Sequence, residues 1–153
     1  MRKRSRAREL ALKALYRIDI TKDNYESALA DIWTNLEPES DESIKEFAKA
    51  IVKGVAENLS DIDSLIGKYA TNWEIKRMAT VDRNILRFGI YELLFMSDIP
   101  PKVTINEAVD IAKKYGDKDS GRFINGILDQ IYKTVPQKVP QTSKFQPPDK
   151  SQL

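Results

Sequence analysis

An all-α fold of about seven helices is predicted by three features of the chain. Apolar residues recur at helical spacing nearly everywhere. No segment shows the two-residue alternation of a half-buried strand. Capping residues, prolines and glycines punctuate the periodic stretches. At 153 residues the chain is one domain, long enough to bury a real core.

The elements follow in order. Ala7, Leu10, Ala11, Ala14, Leu15 and Ile18 form the first stripe. Tyr25, Leu29, Ile32, Trp33 and Leu36 form the second, with Asp23 and Glu26 spaced as a capping box. Pro38 and the acidic run after it mark a loop. Ile44, Phe47, Ala48, Ile51, Val52, Val55 and Leu59 predict a third helix. Ser60 and Asp61 then read as the cap of a fourth, with Ile62, Leu65, Ile66 and Tyr69 inward. Thr80 is expected to cap the most apolar segment, from Val81 through Ile85, Leu86, Phe88, Ile90, Leu93, Leu94 and Phe95 to Met96. Apolar residues on more than one face make this the central buried helix. Pro100 and Pro101 end it. Thr104 and Glu107 form a second capping-box pattern, opening a helix with Ile105, Ala108, Val109, Ala112 and Tyr115, and Gly116 stands at its C-terminal cap. The last stripe is Phe123, Ile124, Ile127, Leu128 and Ile131. Residues 1–135 therefore read as one helical domain. Four of the seven prolines, Pro136, Pro140, Pro147 and Pro148, lie in the 136–153 tail, which is expected to be disordered.

Charge is distributed unevenly. Five of the first eight residues are basic: Arg2, Lys3, Arg4, Arg6 and Arg8. The positive end of a helix dipole makes cations there locally unfavourable. Residues 1–20 carry a net charge of +5, whereas the whole chain sums to +2. Such asymmetry marks a localised face for an anionic partner, and nucleic acid fits best. Two other readings exist for this end: a solvated charged terminus, and a transit peptide. Glu9, Asp19 and the continuation into core-like sequence argue against the latter.

Composition excludes much chemistry. The chain has no histidine and no cysteine. The commonest zinc sites, Ser-His-Asp triads, Cys-His pairs and disulfides are thereby ruled out. The six glycines are scattered and match neither a P-loop nor a dinucleotide fingerprint. No enzyme, cofactor or metal is expected. No apolar stretch has membrane-spanning length, no signal peptide is visible, and the lack of cysteine fits a cytoplasmic protein.

Three segments together resemble the NusB family of transcription antitermination factors. The first is Arg6-Ala7-Arg8-Glu9-Leu10-Ala11-Leu12-Lys13-Ala14-Leu15-Tyr16. The second is Val81-Asp82-Arg83-Asn84-Ile85-Leu86-Arg87 with Tyr91-Glu92-Leu93. The third runs from Asp98-Ile99-Pro100 through Ile105-Asn106-Glu107-Ala108 and Gly116 to Phe123-Ile124-Asn125-Gly126-Ile127-Leu128-Asp129. Their order and spacing over residues 6–130 carry the resemblance.

The resemblance implies two packed three-helix bundles. It implies binding to the single-stranded boxA element of nascent RNA, notably from ribosomal RNA operons. It also implies a heterodimer with NusE, a small-subunit ribosomal protein, and work with other Nus factors on a termination-resistant RNA polymerase. Arg2, Lys3, Arg4, Arg6 and Arg8 match the family's RNA-binding arm, where guanidinium groups suit phosphate. Phe123 matches a base-contacting aromatic, although its stripe also reads as core. Lys118 and Arg122 are candidate phosphate contacts. Asp119 reads as a helix cap, and its matching position implies an acid close to bound RNA. Tyr16 and Asp82 match positions at the NusE interface; Tyr16 also reads as core and Asp82 as a first-turn acid. Asn106 and Asn125 read as structural hydrogen-bonding residues. A homodimer covering the NusE or RNA face is the alternative assembly. The alternative function is a stand-alone RNA-binding module related to the N-terminal domain of RNA cytosine methyltransferases.

Overall fold

The computed structural model describes residues 2–137. Among them lie seven α-helices and no strand: α1 (Lys3–Thr21), α2 (Tyr25–Asp31), α3 (Glu42–Glu57), α4 (Leu59–Tyr69), α5 (Thr80–Phe95), α6 (Pro101–Tyr115) and α7 (Ser120–Thr134). A π-helical turn, Ile32–Leu36, continues α2, and a 3-10 turn, Ile75–Arg77, precedes α5. The tail expected to be disordered lies, beyond Gln137, outside the described residues.

Helices α1, α2 and α3 pack as one bundle and α5, α6 and α7 as another. Helix α4 rests on α5 and α7, and α5 also touches α1 and α3. Residues 84–94 of α5 are buried without interruption, so the expected central helix is there. The buried apolar side chains form one continuous cluster from Ala7 to Ile131. Gly54 is required by close approach: a Cβ there would fall inside the Tyr91 ring. Gly116 does cap α6, with an extended backbone, and a Cβ there would crowd the Ala112 carbonyl and the Ser120 side chain.

Several expected helix starts differ from those observed. Asn24, not Asp23, caps α2 by accepting the Ser27 N–H at 2.7 Å. Leu36 is 56% exposed at the end of the π turn and takes no part in the core. Helix α4 begins at Leu59, before the Ser60-Asp61 pair, and Leu59 is exposed. Thr80 is the first residue of α5 and makes no capping bond. Helix α6 starts at Pro101, where a proline's missing N–H and fixed φ suit the first turn. Thr104 and Glu107 are therefore inside the helix. The i,i+3 spacing of a capping box is also that of two residues on one buried face. Asn106 and Asn125 are exposed, and their side chains make no hydrogen bond among the described residues. Asn84 is instead a buried structural asparagine, which donates to Asp19 and to the Thr80 carbonyl, each at 2.9 Å, and accepts from Arg87.

Two polar networks hold α1 against the second bundle. In the first, the Arg8 guanidinium is 1% exposed. It donates through Nε and Nη2 to the two oxygens of Glu92, both at 2.8 Å, and through Nη1 to Glu107 at 2.9 Å. Thr104 adds a hydroxyl donor to Glu92 at 3.0 Å. Burial alone would lower the Arg8 pKa; the bonds and charges of Glu92 and Glu107 outweigh it and raise it. In the second network, Asp19 accepts from Arg83 at 2.8 Å, Asn84 at 2.9 Å and Arg87 at 3.0 Å. Arg87 also grips Asp63 of α4 through two bonds of 2.8 and 2.9 Å.

Removing one partner of a buried ion pair leaves the other charge uncompensated. Arg8→Met should therefore destabilise the fold by about 3–5 kcal/mol, read from urea unfolding with an unchanged m-value. Glu9 and Asp19 contribute to the acid response. Burial pushes both carboxyls up, but Tyr115, Lys114 and Arg6 around Glu9, and Arg83, Asn84 and Arg87 around Asp19, hold them below their ordinary 4.5 and 3.8. Their stabilisation is complete above those values and is lost as pH falls through the lower folded-state values. Glu9→Gln and Asp19→Asn should each flatten the fall in Tm on acidification below pH 4.5, measured by thermal melts across pH.

Candidate nucleic-acid interface

The basic arm is the cap and first turns of α1. Arg2 occupies the N-cap position without a side-chain capping bond, and no acid lies in the first turn. Carboxylates from elsewhere in the chain compensate instead. Arg2 lies 4.0 Å from Glu107, Lys3 2.9 Å from Asp41, and Arg4 3.8 Å from Asp98. Arg6 pairs with Glu9 at 3.3 Å and with Glu37. Arg4 also lies over the Phe47 ring, 4.6 Å from its centroid. Arg2, Lys3 and Arg4 keep more than half of their side-chain surface exposed. Such exposed pairs contribute about 0–1 kcal/mol each, so phosphates can replace these carboxylates at small cost. Arg8 departs from the expectation. Its side chain is locked to Glu92 and Glu107 inside the core and has no surface to offer phosphate.

A second group of side chains gathers at the start of α7. Ser120 Oγ accepts the Asp117 N–H at 3.0 Å, and the Asp119 N–H donates to Asp117 Oδ1 at 2.9 Å. Asp119 stands at the N-cap position but its side chain makes no capping bond, contrary to the expected cap. Its carboxylate is exposed and makes no ion pair among the described residues. Lys118 and Arg122 are also exposed, and neither has an ion-pair partner among the described residues. Phe123 stands at the rim of the core: Ile124 and Ile127 beside it are buried, whereas Phe123 is only partly so. Its ring meets Trp73 in an edge contact, with centroids 5.9 Å apart and planes at 67°.

Trp73 gives no periodic signal in the sequence because it lies where the helical period fails. It is 56% exposed. The available signal was a large aromatic set among Asn72, Glu74, Lys76 and Arg77, where no stripe requires one.

Helix α6 links the two groups. Glu107 meets Arg2, Ser5 and Arg8, while Lys114 lies 3.1 Å from both oxygens of Glu9 and the Tyr115 hydroxyl donates to Glu9 at 2.7 Å. From Glu107 to Tyr115 the helix rises about 12 Å. The arm thus meets α6 at Glu107, and the C-terminal end of α6 leads through Gly116 into the α7 tip.

The two residues assigned to a protein partner differ in access. Tyr16 is 41% exposed and lies outside the core, one helical turn from Ile20, which is 57% exposed. Asp82 sits in the first turn of α5, as the helix dipole favours, but is only 9% exposed. Its Oδ1 is buried without a hydrogen-bond partner. Burial pushes this carboxyl up, the Ser120 hydroxyl opposes that, and the charge of Asp117 adds to it. No group of three or more metal-ligating side chains occurs among the described residues, and no helix there is long and apolar enough to cross a membrane.

Comparison with known proteins places the chain in a family. The NusB family model matches residues 5–133. A transcription antitermination protein NusB from Anaeromyxobacter sp. is 46% identical over 142 residues, covering 93% of this chain and 98% of that protein. The NusB of Desulforapulum autotrophicum is 48% identical, covering 84% and 90%. Among solved structures, T. maritima NusB aligns with a TM-score of 0.79 at 42% identity, covering 98% of this chain and 97% of that one. A crystal structure of the antitermination factors NusB and NusE in complex with double-stranded RNA aligns with a TM-score of 0.79 at 34% identity, covering 87% and 98%. With the family model matching residues 5–133 and relatives aligned over most of their length and of this one, the chain belongs to the NusB family.

Proposed function

We propose that this chain is a transcription antitermination factor, not an enzyme. In this reading it binds boxA single-stranded RNA together with NusE and helps form a termination-resistant RNA polymerase complex, notably on ribosomal RNA operons. The family supports the role. The observation that carries the RNA reading is the α7 tip, where a partly exposed phenylalanine lies beside Lys118 and Arg122, two cations with no ion-pair partner among the described residues. Single-stranded nucleic acid is held by this combination: aromatic faces for bases and positive charge for the backbone. A duplex hides its base faces in the stack, so exposed rings favour unpaired nucleotides. Arg2, Lys3, Arg4 and Arg6 add positive charge at the start of α1. Tyr16, with the exposed apolar Ile20 beside it, supports a NusE contact in this region of α1, and Asp82 would join it only by its edge. The methyltransferase-module alternative is disfavoured because the relatives bear the antitermination name over 90% or more of their own lengths.

A fluorescence-anisotropy titration of boxA RNA against a scrambled RNA of equal length, with and without NusE, tests the proposal. Tighter binding to boxA, strengthened by NusE, is expected; equal binding to both RNAs, indifferent to NusE, would sink it. Affinity should fall with salt at a slope of roughly −0.7 per phosphate neutralised. Replacing Arg2, Lys3 and Arg4 together by Gln should flatten that slope while sparing Arg8, whose loss would break the core. Phe123→Ala should weaken binding by roughly 5- to 150-fold, the value of one stacked base. Asp119→Asn should tighten it, since an unpaired carboxylate beside bound phosphate repels; an unchanged or weaker affinity would count against that placement.

A further inference from the structure

We infer that Trp73 is a second base-stacking residue, which with Phe123 holds two adjacent nucleotides of single-stranded RNA at an unstacked step. The inference rests on the RNA-binding reading above and extends its site to the α4–α5 connection.

Exposure is the first observation. Tryptophan carries the largest apolar surface of any side chain, and leaving 56% of it in water forgoes burial that the neighbouring core could supply. The connection around it is nevertheless well anchored. The Trp73 N–H donates to the Ala70 carbonyl at 3.0 Å, and Ala70 and Met78 on either side are buried. Arg83 donates to the Ile75 carbonyl at 2.9 Å and is itself held by Asp19 at 2.8 Å. The ring is therefore displayed on a braced loop, which lowers the entropic cost of using it for binding.

Room and charge come next. An open recess of about 700 Å³ lies beside the ring, lined in part by Gly67, Asn72, Trp73 and Lys76. A Cβ on Gly67 would meet nothing within 4 Å, so this wall is clear. Lys76 is exposed without an ion-pair partner among the described residues, as Lys118 and Arg122 are across the Trp73–Phe123 contact. Cations thus stand close in sequence to each ring, with Glu74, which also lines the recess, paired to Arg77 at 3.6 Å.

The angle between the rings supplies the specificity. Two bases in continuous stacking are nearly parallel, but these rings stand at 67°. Bases lying one on each ring must be splayed apart. The site accordingly selects a flexible, unpaired dinucleotide step and rejects a duplex or a rigidly stacked strand.

The chain has two tryptophans, so Trp33→Phe leaves Trp73 as the sole indole reporter. In that variant, boxA RNA should quench tryptophan emission along the same isotherm that anisotropy reports. Trp73→Ala should weaken binding roughly 5- to 150-fold, with Trp73→Phe retaining most of the affinity. Binding by anisotropy with no change in Trp73 emission, or Trp73→Ala binding as tightly as the parent, would overturn this inference while leaving the RNA reading intact. Absence of RNA binding by the parent chain would overturn both.

Discussion

A guanidinium buried to the extent of Arg8 must be met by carboxylates in the right places, because an unmatched charge in the interior costs several kcal/mol. The match here comes from α5 and α6: Glu92 with two oxygens, Glu107 with one. Since α1 belongs to the first bundle and both carboxylates to the second, the requirement fixes the rotation and register of one bundle on the other. Apolar contact alone would tolerate sliding; a planar fork aligned to within hydrogen-bond distance does not.

The Asp19 network repeats the constraint at the other end of α1. Arg8 and Asp19 are eleven residues apart, or about 16 Å of helix. Two buried, directional attachments at that separation define an axis where one would leave a pivot. The second network reaches further, since Arg87 passes from Asp19 to Asp63 and so includes α4, while Arg83 braces the connection that carries Trp73. The connection that carries one ring of the aromatic pair is thus tied through Arg83 to α1.

Charge is used in two different ways at the starts of α1 and α7. The cations at the start of α1 are met by carboxylates brought in from loops and from α6, which offsets their unfavourable position at a helix N-terminus. Those at the start of α7 have no such partner among the described residues. On the proposed reading, the α7 tip offers an open landing site, whereas the arm must exchange a carboxylate for each phosphate it takes. Neutralising the arm in the free protein would also restrain nonspecific attraction to other polyanions, leaving selectivity to the ring pair.

The sequence by itself determined the helices, their order and the identity of the central one, because helical periodicity is a local property that each segment declares alone. The burial of α5 and of Ile124, Ile127, Leu128 and Ile131 was legible for that reason. The basic terminus and the family motifs likewise pointed to nucleic acid without coordinates. Only the tertiary structure decided which charges are free. Arg8 looks like its neighbours in sequence, and its removal to the core depends on Glu92 and Glu107, more than eighty residues away. Thr104 and Glu107 matched a cap, since i,i+3 spacing serves a helix start and a buried face equally. Trp73 acquired a meaning only beside Phe123, fifty residues on, through a contact between α7 and an irregular turn. Periodicity reports what a residue's own helix does with it. Ion pairing and ring contact report what other helices do, and those relations exist only once the chain has folded.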